Sequence, residues 1–95
     1  MPEGGHMRGR YLDVTFRHGR PLAAFLHLPR RPGRKTQTTR RAGEGLVVDL
    51  DVGGTPIGIE MTAPQTLTLA ALNEVLCEYH LPESTQEELT PLGVA

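Results

Sequence analysis

Tryptophan is absent from this 95-residue chain, and the aromatic residues are only Tyr11, Phe16, Phe25 and Tyr79. Leu, Val and Ile must therefore do most of the packing, in a chain of a size that forms one domain with a modest core. Such a thin core gains stability by association, so a homodimer is expected. The lone cysteine, Cys77, excludes an intrachain disulfide and suits a reducing compartment. No apolar run approaches the roughly 20 residues of a membrane helix. The opening stretch M-P-E-G-G-H-M-R-G-R has no apolar signal-peptide core. The expected location is the cytoplasm, with no membrane partner.

Bases are missing from the second half altogether. All ten Lys and Arg lie in residues 1–41 against Glu3 and Asp13, a balance of +8; residues 42–95 hold nine acids and no Lys or Arg, a balance of −9. Asymmetry of this kind marks nucleic-acid or self-association surfaces. In one compact domain the halves also interleave and partly neutralise one another.

What is present reads as sheet, then helix. Residues 45–62 run G-L-V-V-D-L-D-V-G-G-T-P-I-G-I-E-M-T, two apolar-rich segments about Gly53-Gly54, which is a hairpin signal. Centring a two-residue loop on the glycines pairs Val52 with Thr55, Leu50 with Ile57, Val48 with Ile59 and Leu46 with Met61. The apolar members of those pairs then share one face. The other face receives Val47, Asp49, Asp51, Pro56, Gly58 and Glu60, with Glu60 diagonal to Asp49. Pro56 should sit at a sheet edge or beyond the end of any neighbouring strand. The acidic residues are expected to form a solvated face. A hard-cation site or a carboxylate pair for acid–base chemistry is the sharper alternative, but no pocket is visible nearby.

Upstream, residues 1–9 are Gly-rich and expected to be flexible. Tyr11–Phe16 alternates as a strand, and Arg17–Arg20 reads as a turn. Leu22–Leu28 is apolar on both faces, as a central strand covered on both sides would be. The P-R-R-P-G-R loop at 29–34 breaks any ladder, and Thr36–Arg40 is a polar edge strand. Downstream, Leu69, Leu72, Val75, Leu76 and Tyr79 recur at helical spacing behind an N-cap candidate, Thr68, and Pro82 ends that helix. Ser84 and Glu87 form an S-x-x-E capping box for a short helical tail. The predicted class is α+β: one domain over residues 10–92, an antiparallel β-meander of about five strands, a C-terminal helix on one face and a short helical tail.

The G-x-x-V-D-x-D…G…V-G-I-E pattern, carried here by Gly45, Val48, Asp49, Asp51, Gly54, Gly58, Ile59 and Glu60, resembles domain-of-unknown-function family 2283, a group of small prokaryotic proteins. The resemblance spans roughly residues 11–92, and L-T-L-A-A-L-N-E-V-L-C-E-Y-H-L-P looks like the helical extension of some members. This chain departs from the pattern in the basic insert at 29–35 and in Pro56. The resemblance implies a small sheet-plus-helix domain without catalytic residues to carry over. It admits an antitoxin-like binding role.

Candidate sites are few. Arg30, Arg31, Arg34, Lys35, Arg40 and Arg41 form a basic run suited to phosphates or to an acidic protein surface. No aromatic interleaves it to stack bases. Cys77 and His80 lie three apart, but a Cys–His dyad needs an activated thiol and an oxyanion hole, and neither is signalled. His6, His18, His27 and His80 are scattered, so no zinc set is expected. Gly53-Gly54 lacks the Lys-Ser/Thr of a phosphate loop. The expectation is a non-enzymatic domain without cofactor or metal that acts by binding or self-association. Its expected partners are a second copy, another protein or, through residues 30–41, a nucleic acid or other polyanion.

Overall fold

A computed structural model describes residues 9–29 and 32–93. The flexible segment expected at 1–9 lies, but for Gly9, outside the described residues, as do Arg30 and Arg31. Five antiparallel strands form one sheet: β1 (Tyr11–Arg17), β2 (Arg20–His27), β3 (Thr38–Gly43), β4 (Leu46–Leu50) and β5 (Pro56–Met61). Helix α1 (Leu69–Glu78) follows, and Thr90–Leu92 forms a 3-10 turn near the end. The α+β class, the five-stranded antiparallel sheet and the packed helix are as predicted; the simple meander is not, since β2 neighbours β5 rather than β3.

The order across the sheet is β1-β2-β5-β4-β3. Three hairpins join consecutive strands, but the β2–β3 connection carries the chain to the far edge, and β5 returns into the middle beside β2. Burial accounts for this order. β5 has four of its six residues buried and takes the centre, while the exposed, Thr- and Arg-rich β3 takes an edge.

The β4–β5 hairpin pairs Leu46 with Met61 and Val48 with Ile59, as predicted. Nearer the loop the prediction needs correcting. Leu50 pairs with Pro56 across a bulge that skips Ile57, and the loop spans Asp51–Thr55 rather than the two glycines. The Asp51 N–H donates to Thr55 O at 2.9 Å, and Asp51 Oδ1 accepts from the Gly53 and Thr55 N–H groups, each at 2.9 Å. A carboxylate that satisfies two loop amides outweighs the tighter Gly-Gly turn. Val52 is left 72% exposed. Pro56 lies beyond the last β2–β5 pair, His27–Gly58, so its missing N–H breaks no ladder there.

One face of the sheet is core. Ala24, Leu26, Leu28, Leu46, Val48, Ile59 and Met61 meet Leu72, Val75 and Leu76 of α1, with Leu89 and Leu92 of the tail closing one side. Ile57 is buried but lies outside this cluster. Each fully buried Leu or Ile contributes about 1.5–3 kcal/mol. Thr68 caps α1 as predicted, its Oγ1 accepting from the Ala71 N–H at 3.1 Å. The helix ends with His80 at φ 60 and the Leu81 N–H donating to Leu76 O at 2.8 Å, a Schellman-type closure without glycine.

The tail cap shifts by one residue from the prediction. Thr85 Oγ1, not Ser84, accepts from the Glu88 N–H. Ser84 is held instead by its backbone, which exchanges two hydrogen bonds with the Asn73 side chain. The β2 prediction also needs correcting. The strand is interior, but its second face has no covering layer among the described residues: Ala23, Phe25 and His27 are half-buried.

Candidate functional site: the uncovered face of the sheet

Alternation sends every second side chain to the face opposite α1. The ladders then define two rows across all five strands. One runs Asp13, Phe25, Glu60, Val47, Arg41; the other runs Tyr11, His27, Gly58, Asp49, Thr39. The aromatic groups gather on β1 and β2. Tyr11 stacks on His27 with ring centroids 4.3 Å apart, and Phe25 meets His27 edge-on at 4.6 Å. His27 Nε2 lies 3.1 Å from Asp13 Oδ2. Phe25 leans across β5 over Gly58, where any Cβ would overlap the ring. Gly58 is thus the residue that lets the aromatic lie flat on the sheet.

The acidic residues are not a solvated face. Asp49 and Asp51 are only 6% and 7% exposed, and Glu60 is half-buried. Segment 34–37 folds against that corner. Thr36 Oγ1 donates to Asp49 Oδ2 at 3.0 Å, the Gln37 N–H donates to Leu50 O at 2.7 Å, and Arg34 Nε stands 3.9 Å from Asp51 Oδ2. The Thr55 N–H, with those of Gly53 and the Arg34 charge, holds the Asp51 carboxyl below its ordinary range despite burial. Glu60 moves the other way, up to about 7, because its protonated form hydrogen-bonds Asp49, because it is partly desolvated and because the Asp49 charge repels a second anion. Asp49 Oδ1 is buried without another donor among the described residues, which fits this shared proton.

Beside this pair lies an open depression of about 360 Å³, with Asp13, Thr15, Ala23, Phe25, Glu60 and Thr62 around it. Carboxylates on an aromatic floor suit a cationic side chain. No three His, Cys, Asp or Glu among the described residues stand close enough to hold a metal ion.

The basic run divides. Arg40 points to the helix side, where its Nη1 donates to the Tyr79 hydroxyl at 3.3 Å, while Arg41 points to the uncovered face. Arg34 is half-buried by Asp51, and Lys35 is exposed. Cys77 and His80 are exposed at the end of α1, joined by their backbones, the His80 N–H donating to Cys77 O at 3.0 Å, rather than as a side-chain dyad. One buried ion pair leaves no mark in the sequence pattern. Arg10 is 3% exposed, donates to both Glu88 oxygens at 3.0 and 3.2 Å, and donates to the carbonyls of Pro82 and Glu83.

No helix among the described residues is long and apolar enough to cross a membrane. No protein-family model matches the chain, nor does any curated protein or solved structure.

Proposed function

We propose that this domain acts by binding and self-association through the uncovered sheet face, without catalysis. One observation carries the reading. α1 and the tail cover one side of the sheet, while the other displays Tyr11, Phe25 and Val47 among charged groups with no element packed over them among the described residues. Apolar and aromatic groups ringed by charge on a sheet face are the composition of an association surface. The thin core supports the same reading. Polyanion binding through residues 30–41 has less support, since Arg40 and Arg41 face opposite ways. The cytoplasm is the proposed location, on the strength of the lone Cys77. Kinship with domain-of-unknown-function family 2283 is likewise a proposal, resting on the hairpin residues.

Sedimentation equilibrium over a hundredfold concentration range tests the reading. A monomer–dimer equilibrium is expected, weakened by Val47→Glu. A chain that stays monomeric throughout contradicts it.

A further inference from the structure

The row through Glu60 is arranged about its centre. β5 is the middle strand, and on either side of Glu60 stand Phe25 and Val47, then Asp13 and Arg41. The two ends carry opposite charge and the two flanking positions are apolar. A two-fold axis parallel to the strands, placed above β5, turns β1 of one copy over β3 of the other and keeps each row in place. A two-fold across the strands sets β1 over β1, bringing Asp13 towards Asp13. Charge therefore selects the first operator.

Resting on the reading just given, we infer that the partner is a second copy of this chain, packed face to face about an axis parallel to the strands. Asp13 then pairs with the partner's Arg41, and Phe25 packs on the partner's Val47. Aligned sheets pack about 10 Å apart, a distance two facing side chains span. The depression between Asp13 and Glu60 receives the partner's Arg41: its guanidinium meets the Asp13 carboxylate and its stem crosses the Phe25 ring. The same contact forms twice. The neighbouring row contributes less, because Thr36 already occupies Asp49. Five strands at about 4.8 Å spacing give a face roughly 20–24 Å wide, room for both copies of the contact.

Sedimentation equilibrium of the full chain, Asp13→Arg, Arg41→Asp and the double variant tests this. Both side chains are exposed, so circular dichroism should stay unchanged. Each single variant sets like charges opposite one another twice and should raise Kd about tenfold or more. The double variant exchanges the charges and should restore association. A dimer indifferent to both single variants, or weakened by both without recovery in the double, overturns this arrangement and leaves self-association standing. A chain that never dimerises overturns both.

Discussion

Arg10 and Glu88 stand 78 positions apart in the chain and 3.0 Å apart in space. Their two-pronged ion pair is buried, and the spare guanidinium donors hold the carbonyls of Pro82 and Glu83. The segment before β1 is thereby stapled to the tail after α1. Breaking such a pair leaves the other charge buried and unpaired. Arg10→Ala should cost about 3 kcal/mol in urea denaturation. Arg10→Lys should recover little, since an ammonium cannot reproduce the fork.

Gly58 and Phe25 make a second prediction. Gly58→Ala should destabilise by about 2 kcal/mol, because the added methyl overlaps the Phe25 ring. Phe25→Ala in the same chain should make Gly58→Ala nearly neutral. That coupling is read as a double-mutant cycle.

How much of this was legible in advance follows from the range of each interaction. Period-2 and period-3.6 patterns are local, so the strands, the Thr68 cap and the Val48–Ile59 register could be read directly. The bulge at Leu50 was not, because the apolar pattern carries no sign that Asp51 takes two loop amides. The central place of β5 depends on comparing burial between strands far apart in sequence. Arg10 looked like one more base in a polar segment, and only the fold supplies Glu88. Asp49 and Asp51 read as solvated because alternation reports a face, not what covers it; the cover comes from residues 34–37.

Stability should depend on pH through Glu60. Its carboxyl lies at about 7 in the folded chain against an ordinary 4.5, so the folded state keeps a proton that the unfolded chain releases. This contribution is complete below about 4.5 and is lost as pH rises to about 7. Asp51 has the opposite sign: its lowered pKa stabilises above its ordinary 3.8, and this is lost in stronger acid. Thermal midpoints should therefore fall between pH 5 and 7, and Glu60→Gln should flatten that limb. Association should weaken over the same window, since Glu60 meets its own copy at the axis. Asp49 from β4 and Asp13 from β1 add negative charge around it, against Arg41 from β3 and His27 from β2.

His80 holds a left-handed backbone, φ 60, at the end of α1. Glycine adopts that conformation without steric cost. His80→Gly should raise stability by about 0.5–1 kcal/mol, read from the urea midpoint at constant slope.

Phe25 and Val47 flank Glu60 on opposite sides, so within one chain they stand about 9.6 Å apart, two strand spacings. Across the inferred axis they touch. An isotope-filtered nuclear Overhauser experiment on a mixture of labelled and unlabelled chains measures that contact alone. The arrangement predicts a cross-peak between the Phe25 ring of one copy and the Val47 methyls of the other. A dimer with no such peak, or one whose intermolecular peaks join Tyr11 and Phe16 along the β1 edge, would contradict it.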